Sequence, residues 1–241
     1  MSRWGETVYR GTATGCLAER VVVTERVALA TGGAVPLDHA ALLGCAALTG
    51  VGAVLFAARM GAGTTAVVVG AGGVGQFVVQ GSRIAGAETV VVVDPFEGRR
   101  SQALALGATH AVAPGELQEL MAEVAPDGAD VGFDAVGDPA TTATALRWTR
   151  NGGTCVVVGI SAVGARLDLD PGEFVRREKT LTGTMYGSED PAVALPMLLD
   201  HVRAGRLQLE PMLGPVFALD DVNAAVEASL AGAPGRVLVR P

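Results

Sequence analysis

The chain has 241 residues, 49% hydrophobic and 18% charged, enough to bury a core in one large domain or one and a half smaller ones. A formal charge of −7, from 18 basic and 25 acidic side chains with no basic run, argues against nucleic acid or anionic membrane as a partner. Asp38 and His39 break the apolar stretch 37–58 early, so no membrane span is expected, and three scattered cysteines (Cys16, Cys45, Cys155) predict reduced thiols in a cytoplasmic protein.

The first 35 residues read as a polar, aromatic start (Trp4, Tyr9), turn material from Gly11 to Gly15, and short strands over 17–23 and 26–29. Pro36 and Asp38 suit the first turn of a helix whose apolar side carries Leu42, Leu43, Cys45 and Leu48. A second helical segment is expected over 49–60.

Residues 65–94 carry the strongest pattern. Thr65 to Val69 is a short β-branched run suited to a strand buried on both faces. Gly70-Ala71-Gly72-Gly73-Val74-Gly75 then satisfies G-x-G-x-x-G. Gly70 permits the sharp turn, Gly72 lets a pyrophosphate approach the backbone, and Gly75 lets the next helix pack close to the sheet. That helix, over 75–85, points its free N–H groups at the pyrophosphate. A strand over 89–93 ends at Asp94, whose carboxylate suits ribose hydroxyls and meets a 2′-phosphate as a like charge, at a cost of roughly 1–4 kcal/mol. NAD is therefore expected over NADP; Arg99 and Arg100 soften the preference but read first as solvated helix residues.

The alternation continues with helices over 96–106, 116–124 and 139–148 and strands at 111–112, 131–135 and 154–158. Repeated βα units predict an α/β fold built on a doubly wound parallel sheet, with Gly137 and Gly159 on the rim that holds the glycine loop. From 165 onward the pattern changes to a loop with Asp168, Asp170 and Glu173, a strand over 180–186, a helix over 193–204 and a final strand over 236–239.

Taken together, Pro36-Leu37-Asp38-His39-Ala40-Ala41-Leu42-Leu43-Gly44-Cys45, Thr49-Gly50, the glycine loop, VVVVD and Leu106-Gly107-Ala108-Thr109 resemble the zinc-containing medium-chain alcohol dehydrogenases. The branch with thiol-dependent formaldehyde dehydrogenases is the nearest in flavour. The resemblance implies a Rossmann cofactor domain over 47–185, flanked by catalytic-domain parts over 1–46 and 186–241 that form a truncated, barrel-like remnant. It implies cofactor contacts at Gly70, Gly72, Gly73, Val74, Gly75, Asp94, Arg99, Val158, Gly159, Ile160 and Arg236. Cys45 matches one of three catalytic zinc ligands and Thr49 a residue beside the nicotinamide. The family's preceding segment of more than a hundred residues, with the other zinc ligands and the proton relay, has no counterpart here.

Catalytic zinc needs about three protein ligands and an open position. No bound metal is expected, and Cys45 reads first as a small buried residue on a helix. Cys155 reads as core packing. His39 is expected to be solvated, although with Asp38 it forms the one acid and imidazole pair near Cys45 in sequence, so His39, Cys45 and Thr49 are the catalytic candidates. His110 needs no function, and His201 is expected on an exposed helix face. The leading expectation is an NAD-dependent oxidoreductase acting on a pathway-specific alcohol or carbonyl substrate. A repurposed non-redox enzyme and a non-catalytic or split-enzyme subunit stand as alternatives. The strand over 180–186 resembles the edge through which the family pairs cofactor domains, which implies a homodimer.

Overall fold

The computed structural model describes the backbone of residues 2–3 and 6–7 and all of residues 14–241. The start around Trp4 and Tyr9 and the turn from Gly11 lie outside the described residues. Two short strands, β1 (Ser2–Arg3) and β2 (Glu6–Thr7), pair antiparallel.

The sheet expected from the repeated βα units forms as β3 (Thr65–Val69), β4 (Thr89–Val93), β5 (His110–Val112), β6 (Ala129–Asp134), β7 (Thr149–Val157) and β8 (Thr180–Gly183). All six are parallel, in the order β5-β4-β3-β6-β7-β8. The fold is a doubly wound Rossmann α/β sheet. The chain leaves β3 in one direction to β5, then returns to β6 on the other side, so a crevice opens at the carboxyl ends of β3 and β6.

Successive valines feed opposite faces. Val68, Val90 and Val92 join the large core, whereas Val67, Val91 and Val93 join a second cluster with Leu117 and Met121. Each such side chain, wholly buried, contributes about 1.5–3 kcal/mol. Helices α3 (Gly75–Ile84), α4 (Glu97–Ala105), α5 (Leu117–Val124) and α6 (Pro139–Arg147) cover the two faces.

Several expectations need correction. No strand forms over 17–23 or 26–29; that stretch holds only a 3₁₀ turn, Glu25–Val27, and Val22 is 92% exposed. Its β-branched residues find no partner strand among the described residues, and a ladder needs one. The two expected helices merge into one run, α1 (Leu37–Leu42) and α2 (Leu48–Gly52) joined and extended by π-helical turns Leu43–Ala47 and Ala53–Ala57. By length and composition this 21-residue run could cross a membrane, contrary to the reading of Asp38 and His39 as breaks. It instead buries Leu42, Leu43, Leu48 and Val51 in the main core, as a core helix does. Glu173 lies not in a loop but in α7 (Pro171–Arg177), which Asp170 caps by accepting the Gly172 N–H at 2.8 Å. The last sheet strand stops at Gly183, and Tyr186–Ser188 forms a turn with Gly187 at φ 80°, packed against Gly52.

Helix α8 (Pro191–Arg203) packs against the long helical run. Beyond it, β9 (Leu213–Ala218), α9 (Val222–Leu230) and β10 (Arg236–Arg240) form a unit in which β9 and β10 pair parallel, apart from the main sheet.

At the opposite end from the crevice, Asp130 accepts from the Thr65 N–H and from Arg150 Nε, both at 2.7 Å, and so ties β6 to β3 and β7. Burial opposes its charge, but those donors outweigh burial and hold the carboxyl below its ordinary range. A lowered value stabilises the fold above about pH 4, and that contribution fades as pH falls through the folded value. Asp130→Asn should lower Tm at pH 7 by about 2–5 °C, with the gap to wild type closing below about pH 4. Thermal denaturation across pH checks this, and a gap independent of pH removes the ionised carboxylate from this role.

Candidate functional site

At the end of β3 the backbone turns sharply at Gly70, φ 94°, and the Gly70 N–H donates to the Val93 carbonyl at 2.8 Å. Helix α3 then begins so close to the strand that a Cβ on Gly75 would lie 1.9 Å from the Gly70 oxygen. At Gly72 the same construction meets nothing within 4 Å, so the loop is open where a phosphate would approach. At Gly73 it meets Arg236 Cδ at 2.4 Å, because the Arg236 side chain, reaching in from β10, lies on the loop. The sequence-predicted Gly70, Gly72, Gly73, Val74, Gly75 and Arg236 therefore come together.

Asp94 is 2% exposed. Its Oδ2 accepts from the Ala71 N–H at 2.8 Å and its Oδ1 from the Phe96 N–H at 2.9 Å, so the carboxylate braces the loop. Each oxygen keeps a further lone pair for a ligand hydroxyl. Arg99 Nη1 lies 3.8 Å from Asp94 Oδ2, and its guanidinium stacks on Phe96 at 4.6 Å. Arg100 is not solvated as expected: its Nη1 donates to the carbonyls of Asp94 and Pro95. Gly72, Gly73, Gln76, Phe96, Arg99 and Gly235 line a cavity of about 290 Å³ between loop and α4. A larger hollow, about 420 Å³, lies between α6 and α7, away from the loop. Among its lining residues Arg177 pairs with Glu173 at 3.4 Å, and Lys179 Nζ donates to the Leu146 carbonyl at 2.7 Å.

On the other side of the crevice, the N–H groups of Val158 and Gly159 both donate to the Asp134 carbonyl at 2.9 Å, and Ile160 is 81% exposed. Gly137 and Gly159 touch backbone to backbone. Sequence reasoning missed Asp134, wholly buried, whose carboxylate accepts from the N–H groups of Val136 and Gly137 and from the Thr142 hydroxyl. An acid closing a strand, the sign that marked Asp94, also marks Asp134. Gln76, the residue after the last glycine of the loop, was missed as well.

The catalytic candidates are not gathered into one constellation. His39, Cys45 and Thr49 share the long helical run, but His39 Nε2 pairs with Glu210 at 2.7 Å and Asp38 with Arg240 at 2.7 Å, so the expected acid and imidazole pair is divided between two C-terminal partners. Cys45, read as buried, is exposed, because the π-helical turn brings it to the surface. Cys155 is core, as expected, its thiol pushed up to about 12 by burial and by nearby Asp134. His201 is half-buried, not exposed; burial and then Arg206, whose Nε donates to it at 3.0 Å, lower its pKa. Among the described residues no three His, Cys, Asp or Glu side chains converge as a metal site.

The sequence model described as Zinc-binding dehydrogenase matches residues 73–200, more than half of the chain. The chain belongs to that family. Alcohol dehydrogenase 6 of Peromyscus maniculatus is 31% identical over 98% of this chain and 64% of its own length. The solved alcohol dehydrogenase zinc-binding domain protein of Burkholderia ambifaria superposes with a TM-score of 0.80, at 30% identity, over 85% of this chain and 56% of that one. A structure described as a zinc-binding dehydrogenase of Sinorhizobium meliloti 1021 bound to NADP gives 0.74 at 26% identity, over 84% and 59%. The chain thus spans less than two thirds of these zinc-binding dehydrogenase relatives. They make it an oxidoreductase homologue of the alcohol dehydrogenase type with a nicotinamide-cofactor fold.

Two alanine substitutions separate the loop's contacts. Gly73→Ala strikes a flexible side chain and should leave Tm within about 3 °C of wild type, whereas Gly75→Ala strikes backbone and should cost about 3 kcal/mol or more, near 10 °C. Paired thermal melts check the contrast; equal shifts would mean that α3 can retreat from the strand.

Proposed function

We propose that the chain is an NAD(H)-dependent oxidoreductase of the medium-chain alcohol dehydrogenase type, acting on a pathway-specific alcohol or carbonyl compound. The observation that carries this reading is the gathering of the glycine loop, Asp94, Arg99 and Arg236 about one crevice. The N–H groups at Gly72, Gly73 and Val74 and the start of α3 would meet the pyrophosphate from one side and Arg236 from the other. Asp94 and Arg99 would take the adenosine ribose. The backbone from Val158 to Ile160 would lie along the carboxamide, and Thr49 would stand beside the nicotinamide. Cys45 and His39 belong to the substrate side.

The proposal is zinc-free for this chain by itself, because no three of its described donors assemble, and Asp38 and His39 are engaged with Arg240 and Glu210. That dispersal is equally compatible with a second reading, a non-redox enzyme of a biosynthetic pathway on the same scaffold, and with a non-catalytic or split-enzyme subunit. The motif run from Pro36 to Cys45 supports placement near the thiol-dependent formaldehyde dehydrogenases, and the division at 46–47 and 185–186 into cofactor and flanking catalytic parts rests on the same resemblance. Three free cysteines suit a reducing, cytoplasmic setting. Strand β8 ends the sheet with an unpaired edge, the geometry for a homodimer joined edge to edge.

Fluorescence titration tests the cofactor: NADH should bind at least about tenfold more tightly than NADPH, the scale of a like-charge contact, and equal affinities would remove Asp94 from its role. Elemental analysis near one zinc per chain would overturn the zinc-free reading, and a monomer by light scattering at micromolar concentration the dimer. Substrate turnover with consumption of NADH supports the redox reading, whereas conversion at constant NADH absorbance supports the second one.

A further inference from the structure

We infer that Gln76 is a positioning residue for cofactor discrimination, acting through a ring of contacts that fixes Arg99 against Asp94; the inference rests on the reading of this crevice as a dinucleotide site. Gln76 lies in the first turn of α3, 1% exposed. Its amide Nε2 donates to the Ala71 carbonyl at 3.0 Å and to the Arg99 carbonyl at 2.9 Å. The Ala71 N–H in turn donates to Asp94 Oδ2 at 2.8 Å, and the Arg99 guanidinium faces that same oxygen at 3.8 Å. Asp94, Ala71, Gln76 and Arg99 thus form a closed circuit, in which Gln76 is the link between the glycine loop and α4.

Packing does not account for this amide. Its Oε1 is buried with no hydrogen-bonding partner among the described residues, so a methionine of similar size would fill the space and remove that unmet acceptor, although the Ala71 and Arg99 carbonyls would lose the donor that Nε2 supplies. What methionine cannot do is hold two carbonyls 28 positions apart in sequence, Ala71 and Arg99. Those carbonyls belong to the elements whose side chains and N–H groups decide between a ribose hydroxyl and a 2′-phosphate. Arg100 is committed to the carbonyls of Asp94 and Pro95, which leaves Arg99 as the cation at the cavity wall. Where Arg99 sits relative to Asp94 therefore sets how far a 2′-phosphate is compensated, and Gln76 sets where Arg99 sits.

The test compares wild type, Gln76→Met and Gln76→Glu for NADH and NADPH affinity, with thermal melts on the same samples. Gln76→Met should lower Tm by about 3–8 °C, for the donor lost to two carbonyls, while the NADH to NADPH affinity ratio changes about fivefold or more, the order of one net hydrogen bond. In Gln76→Glu a protonated carboxyl can still donate one bond, whereas the ionised form faces two carbonyl oxygens. Its ratio should therefore depart further from wild type as pH rises from 5 to 8, about the range in which a buried glutamate titrates. An unchanged ratio in both variants overturns the inference, and so does an equal loss of affinity for both cofactors that tracks a fall in Tm. Failure of the wild-type chain to bind either cofactor would instead overturn the dinucleotide reading, and the inference with it.

Discussion

The contact on which the site depends is the approach of α3 to the end of β3, where Gly75 leaves no room for any side chain beside the Gly70 carbonyl. A helix held that near the sheet presents its first N–H groups at the carboxyl edge of β3 instead of over the sheet's face. The loop between them then has to turn in place, which the positive φ at Gly70 allows. Everything else in the crevice is arranged around that loop. Asp94 holds it from β4, Gln76 from within α3, and Arg236 lies across it from a separate unit.

This arrangement explains why the C-terminal unit bears on a site it does not contain. Strand β10 is outside the main sheet, yet its first residue crosses Gly73, and Gly235 just before it lines the same cavity. The helical run at the other end of the chain is tied to the same region by two contacts, the ion pair of Asp38 with Arg240 and the hydrogen bond of His39 with Glu210. Both pairs are at least half-exposed on one side, so each adds at most about 1 kcal/mol. Their weight is geometric: they fix the run that carries Cys45 and Thr49 relative to the strand that carries Arg236.

The parts legible in sequence are those whose cause is local. Valine runs between glycines announced β3 and β4, and the loop spacing announced its own geometry, because strand burial and turn sterics are written in neighbouring residues. What was illegible depended on partners far along the chain. Val21 to Val23 have strand-like composition but no neighbouring ladder, so composition misled. The exposure of Cys45 follows from a π-helical turn that the regular helical period does not anticipate. Asp38 and His39 looked like partners of each other because they are adjacent, whereas their actual partners lie 202 and 171 positions away. Asp134 is legible by the rule that finds Asp94, an acid at the end of a buried strand.

The same residues bear on cofactor choice, which fold and family leave open, since a relative of similar fold was solved with NADP. The balance at the ribose edge has three charges in it. Asp94 is buried and already carries two N–H donors at the loop. Arg100 spends its guanidinium on backbone carbonyls. Arg99 remains, but its side chain is 37% exposed and stacked on Phe96, so its attraction for a phosphate is weakened by water while the repulsion from buried Asp94 is screened less. A 2′-phosphate would thus trade a screened attraction for a less screened repulsion, whereas a ribose hydroxyl would find an acceptor with lone pairs to spare. On that comparison the proposed preference for the unphosphorylated cofactor rests on the depth at which Asp94 is buried more than on its mere presence at the end of β4.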